Sequence, residues 1–168
     1  QGNTLTNCDK GVYVYKASNP TINSGNIIYA NDNGIYVQGT TSTTPQPVAT
    51  ANQIYSNDLF NYSASAFPTG SNTLKLNATG NWWGSTDPSV IMTGISDLSD
   101  NYTATNVPTV DYSGFLSGPG GSAVPGNQLI GVFTATTTTL TAGSTYDVLG
   151  TLFVPTAKTL SVPAGTVL

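Results

Sequence analysis

The segment "NTLTNCDKGVYV" at residues 3–14 recurs as "NIIYANDNGIYV" at 26–37, and no other feature limits the fold as tightly. Asn3 aligns with Asn26, Leu5 with Ile28, Asp9 with Asp32 and Gly11 with Gly34, each pair 23 residues apart. A third copy, "NQIYSNDLFNY" at 52–62, keeps Asn52, Ile54, Tyr55, Asn57 and Asp58 but lacks the glycine. The stretch "NTLKLNATGNWWG" at 72–84 reads as a fourth, weaker copy, which sets Leu74 level with Ile54. Repeats of this length mark a solenoid, in which each unit buries its apolar face only against its neighbours.

The residue types say which solenoid. Each unit holds two short stretches of alternating apolar and polar residues around an Asn/Asp/Gly turn, followed by a variable polar segment such as "QGTTSTTPQPVAT" at 38–50. A helical repeat needs runs of about ten helix formers. Such runs are missing here, since the chain has no Glu and no Arg. The expected fold is therefore all-β with almost no helix: a short parallel β-helix whose coils stack at about 4.8 Å. In that register Leu5, Ile28, Ile54 and Leu74 form one inward stack, and Val12 and Val14 with Ile35 and Val37 a second. Tyr13 and Tyr36 lie between those inward residues and must point outward. Gly11 and Gly34 are expected at bends, in a left-handed conformation.

With these repeats placed, the chain resembles the right-handed parallel β-helix proteins of the pectin-lyase-like superfamily. It is most similar to bacterial and archaeal surface proteins with "N-x-I-x-x-N-x-x-G-I-x-V" coils. In those proteins a coil ending in "NNWWG" and followed by Pro is a common last rung, and "GNWWGSTDPSVI" at 80–91 is similar to it. The resemblance covers about residues 1–118, with "VDYSGFLSG" at 110–118 as the strand leaving the helix. It implies a fold more than a function, because this fold hosts lyases, hydrolases, adhesins and structural stalks.

Residues 119–127 fall in a Gly/Pro linker, and 128–168 form a second strand-rich region. Its "VPTAKTLSVPAGTV" resembles the opening rungs of a β-helix of the same class. Opening rungs after closing rungs suit a permuted unit whose last strands support the first coils of the next copy. Two successive domains cut from a longer protein would give the same order. Both ends look cut, since the chain starts at Gln1 and stops at "PAGTVL".

Charge excludes one class of partner. With 4 Lys, no Arg and a net charge of −4, the chain has no basic patch for nucleic acid. No apolar run approaches the length of a membrane span. Catalysis is not expected: a β-helix lyase resembling these proteins uses a Lys or Arg base, and a hydrolase needs paired carboxylates. Here Lys10, Lys16, Lys75 and Lys158 are scattered, and no cofactor is implied.

Four sets of residues remain as candidates. Outward tyrosines, Tyr13 with Tyr36 and Tyr62, and Tyr29 with Tyr55, would stack on sugar rings or on one another. Asp9, Asp32 and Asp58 would form a calcium ladder or sit as solvated turn residues. Asn31 and Asn57 fit an internal amide ladder. Trp82 and Trp83 point to opposite faces at the last coil, one capping the interior, with Pro88 ending the ladder. Together with Val154, Leu160, Val162, Val167 and Leu168 they would form the ends through which copies meet. Cys8, the only cysteine, is expected to be a buried or partly buried thiol. The partners implied are copies of the chain joined head to tail, or adjacent domains, and possible glycans, on an extracellular or cell-surface protein.

Overall fold

The computed structural model describes residues 2–168; Gln1, where a self-continuing junction would begin, lies outside them. The first coil carries β1 (Thr4–Leu5), β2 (Lys10–Tyr15) and β3 (Thr21–Ile22). The second carries β4 (Ile27–Ile28), β5 (Asn33–Gln38) and β6 (Val48–Ala49), and the third β7 (Gln53–Ile54), β8 (Phe60–Ser65) and β9 (Lys75–Asn77). The fourth holds a six-residue helix, α1 (Pro88–Thr93), then β10 (Ile95–Ser96) and β11 (Thr109–Asp111). Equivalent strands stack into three parallel sheets, ordered β1-β4-β7, β10-β8-β5-β2 and β11-β9-β6-β3. These are the sides of a right-handed parallel β-helix.

The repeat supplies the core. Ile28 and Ile54 from one side, Ile35 and Val37 from the second and Val110 from the third are all fully buried, each stabilising by about 1.5–3 kcal/mol. Between equivalent asparagines the coils lengthen from 23 to 26 to 29 residues. Loops absorb the difference, so a ladder survives although the period does not.

That drift corrects the fourth repeat. Gln53 pairs with Trp82, which places Trp83 on Ile54, in the position expected for Leu74. The tryptophan rung is also not the last, because Leu116 N donates to Asn81 O at 2.9 Å and starts a further turn. Pro88 does not end a ladder either. It opens α1, where its missing N–H costs nothing, and Asp87 caps the helix by accepting from Ser89 N.

Residues after Val124 form a second, smaller unit with β12 (Asn127–Val132), β13 (Thr137–Thr139), β14 (Tyr146–Phe153) and β15 (Thr159–Ser161). Here β12 pairs with β14 and β13 with β15, again parallel. The unit lies over the top coil of the β-helix. Ile130 and Leu149 join its core, Lys75 Nζ reaches Ile130 O at 2.6 Å, and Gly114 N donates to Gln128 Oε1 at 2.6 Å. The Gly/Pro segment between the units is a closed hairpin rather than a loose tether, with Leu116 bridged to Ala123 and Ser117 N bonded to Ser122 O.

Candidate functional site

Two internal amide ladders hold the coils. Asn3 Nδ2 donates to Asn26 Oδ1 at 3.0 Å, Asn26 to Asn52 at 2.8 Å and Asn52 to Asn81 at 3.1 Å. Asn81 closes the series on the carbonyls of Ala49 and Ala78, both at 2.7 Å. The second ladder runs from Asn31 to Asn57 at 3.0 Å and from Asn57 to Asn61 at 2.9 Å. The residue before every ladder asparagine but Asn61 turns the corner in a left-handed conformation: Gly2, Gly25, Ala51 and Gly80 in the first series, Ala30 and Ser56 in the second. A buried amide left unpaired costs about 1–3 kcal/mol, so each asparagine fixes the position of the next coil.

In the sequence Asn61 stands out only as the start of an N-x-Ser triplet, with no sign of a ladder role. It stands in the glycine column of Gly11 and Gly34, and its side chain supplies the last acceptor of the second ladder where the fourth coil has α1 instead of a corner asparagine. Gly11 and Gly34 are not left-handed, contrary to expectation, since neither has positive φ. They are glycines for closeness. A Cβ on Gly34 would lie 2.6 Å from Asn61 O and 2.7 Å from Asn57 Nδ2.

The tyrosine face is only partly as expected. Tyr13 and Tyr36 pair across β2 and β5 with ring centroids 5.6 Å apart, Tyr15 stacks on Tyr13 at 5.5 Å, and Tyr29 and Tyr55 stack nearly parallel at 5.8 Å. Lys10 Nζ lies 5.2 Å from the Tyr36 ring centre. Tyr62 does not belong to this face. Leu59 N and Phe60 N both reach Asp32 O, at 2.8 and 3.3 Å, so Leu59 is one extra residue in the strand. The slip sets Tyr62 opposite Ile35, fully buried, and turns Leu59 out. Burial pushes the Tyr62 phenol well above its ordinary range. Its hydroxyl and Trp83 Nε1 have no hydrogen-bond partner among the described residues.

Asp9, Asp32 and Asp58 occupy equivalent corners, as Asp32 N bonded to Cys8 O and Asp58 N bonded to Asn31 O require, and all three are exposed. Asp9 is paired with Lys10. Cys8 is exposed too, in correction of the buried thiol, because it sits at the same outer corner of the first coil. Trp83 is buried against the interior and Trp82 half-buried. Val154, Val162, Val167 and Leu168 are exposed, while Leu160 is half-covered.

A groove of about 550 Å³ runs between α1 and β14, lined by Pro88, Phe115, Val148, Leu149 and Leu168. Among the described residues that line it, the ionisable side chains are Tyr146 and Asp147. That set lacks the paired carboxylates that glycoside hydrolysis requires.

Residues 1–106 match the family described as "Periplasmic copper-binding protein (NosD)". The chain belongs to this family. No curated protein and no solved structure matches it. The copper in the NosD family's description finds no fitting ligand set here. Copper favours imidazole, thiolate and thioether donors. This chain has no His, and its single Cys and single Met lie apart: Cys8 on the first coil bonded to Thr6 O, Met92 on α1 in the fourth. Among the described residues no three His, Cys, Asp or Glu side chains converge. No helix among them is long and apolar enough to cross a membrane.

Proposed function

We propose that the chain is a non-enzymatic structural module of a protein exported beyond the cytoplasmic membrane, which joins copies of itself end to end into a stalk or filament. What supports this reading is that β1, β2 and β3 of the first coil, and β13 and β15 of the C-terminal unit, each pair with only one strand among the described residues. Such edges recruit further strands unless they are blunted or covered. The family's description as periplasmic supports placement outside the cytoplasm, and the amide ladders suit a rigid rod. Negative-stain imaging and light scattering across a concentration series test it. Fibres with a regular repeat are expected, and a monodisperse monomer at every concentration refutes it.

A second reading, adhesion to glycans, is favoured by the exposed Tyr13 and Tyr15 rings, 49% and 40% accessible. Glycan-array binding that disappears in Tyr13→Ala/Tyr36→Ala would establish it, and an array without signal would remove it.

A further inference from the structure

Three asparagines, Asn61, Asn77 and Asn101, begin an N-x-Ser/Thr triplet without proline, the acceptor pattern for N-linked sugar on exported proteins. A triplet alone says little in a chain so rich in Ser and Thr, but the fold treats the three differently. Asn61 is committed to the second amide ladder, where its Oδ1 accepts from Asn57 Nδ2 at 2.9 Å. Its Nδ2 is pressed against Gly94, whose added Cβ would lie 2.7 Å from it. A sugar on that nitrogen would break the corner. Asn77 is exposed, yet Ala78 in the middle of its triplet is fully buried. Ala78 N donates to Asp111 O at 2.9 Å, and Ala78 O accepts from Asn81 Nδ2 at 2.7 Å. That triplet is built into the third coil and cannot be drawn out without opening the ladder.

Asn101 has neither tie. It follows the short 3-10 turn Leu98–Asp100 on the loop that leads to β11, and Asn101, Tyr102 and Thr103 are all exposed. The backbone bonds of the triplet are local, from Asn101 N to Leu98 O and from Ala104 N to Asn101 O. Among the described residues its hydrogen bonds beyond the loop are limited to the Tyr102 hydroxyl, which accepts from Thr151 Oγ1 at 3.0 Å. Asn101 Oδ1 accepts from Thr103 N at 3.2 Å and from Thr103 Oγ1 at 2.8 Å, whereas its Nδ2 has no partner among those residues. Asp111 and Ser113 make the same turn, at 3.1 and 2.6 Å, so the turn itself needs no amide. What Asn101 adds is a free amide nitrogen on a triplet that can leave the surface.

We infer that Asn101, and neither Asn61 nor Asn77, is an acceptor for N-linked glycan. Its Nδ2 forms a bond to the anomeric carbon of a sugar carried on a lipid pyrophosphate. The bond from that carbon to the phosphate oxygen breaks, the pyrophosphate leaves with the electron pair, and one amide proton passes to a base of the transferase. The chain is the substrate of this step, not its catalyst. A sugar there lies beside Tyr102, Met92 and Val154, exposed apolar residues of two grooves that meet at Tyr102, and shields them from water. Modification of this kind needs export, so the assignment rests on the placement beyond the cytoplasmic membrane proposed above.

Mass spectrometry of protein recovered from the envelope or medium of its producing cells tests this. Cleavage before aspartate gives a fragment 100–110 that holds Asn101 and a fragment 58–86 that holds both Asn61 and Asn77. The first is expected to be heavier by one glycan and the second to have its unmodified mass. Thr103→Ala should remove the added mass and Thr103→Ser should keep it, while Asn77→Gln leaves it in place. An unmodified 100–110 fragment from exported protein, glycan on 58–86, or glycan retained in Thr103→Ala would overturn the assignment and leave the export reading standing. Protein found only in the cytoplasm and without glycan would overturn both.

Discussion

Replacing Asn52 with Leu tests whether the amide ladder, rather than the aliphatic stack, sets the register of the coils. Asn52 is 1% exposed. Its Nδ2 donates to Ile22 O at 2.8 Å, Thr50 O at 3.0 Å and Asn81 Oδ1 at 3.1 Å, and its Oδ1 accepts from Asn26 Nδ2 at 2.8 Å. Leucine fills a similar volume, so no cavity is made, and three hydrogen bonds are lost, the two amide hydrogens being shared among three carbonyl acceptors. At about 1 kcal/mol each, less about 1 kcal/mol for the buried leucine, Asn52→Leu should cost about 2 kcal/mol. Urea unfolding followed by tryptophan fluorescence reads this, since Trp83 stacks on Ile54 in the adjoining column. The midpoint should fall with the slope unchanged. Asn52→Asp should cost more, because a buried carboxylate would face two carbonyls. Its folded pKa would then lie above the unfolded value, so the missing stability should return as pH falls through the folded pKa and be complete below about 4. A loss under about 1 kcal/mol for Asn52→Leu would refute the ladder's role.

Three other perturbations follow from single residues. Tyr62→Phe removes a buried hydroxyl without a partner and should raise stability at neutral pH by about 1 kcal/mol in urea melts, whereas a loss would reveal a bridging water. Since the folded phenol titrates above its ordinary 10.0, its contribution is complete below pH 10 and declines above it. Alkaline unfolding of Tyr62→Phe should therefore be shallower by about 1.4 kcal/mol per pH unit. Ala51→Gly relieves a left-handed alanine, φ 56°, and should gain roughly 0.5 kcal/mol by thermal or urea melts, the strain relieved exceeding the entropy added. Val162→Lys/Val167→Lys should abolish oligomers in sedimentation while leaving the far-ultraviolet spectrum unchanged; persistence of oligomers would count against the C-terminal edge as the contact.

The spacing of Asn3, Asn26 and Asn52 with the apolar residues two places later is enough to dictate a parallel β-helix. A coil has no other way to bury Leu5, Ile28 and Ile54 while pairing its backbone. The absence of His and Arg likewise sets limits on chemistry without any structure. What the sequence could not carry is register wherever a coil gains residues. Leu59 is one extra residue, and it reverses the face of Tyr62. The loop before Asn81 lengthens the coil, so Trp83, not Leu74, continues the column of Ile54. Both outcomes depend on hydrogen bonds between coils that are far apart in the chain. The fate of residues 127–168 was decided the same way. Their local pattern specifies two short parallel coils, but only packing of Ile130 and Leu149 on the top coil determines where those coils lie, because that apolar surface exists only once the β-helix has formed.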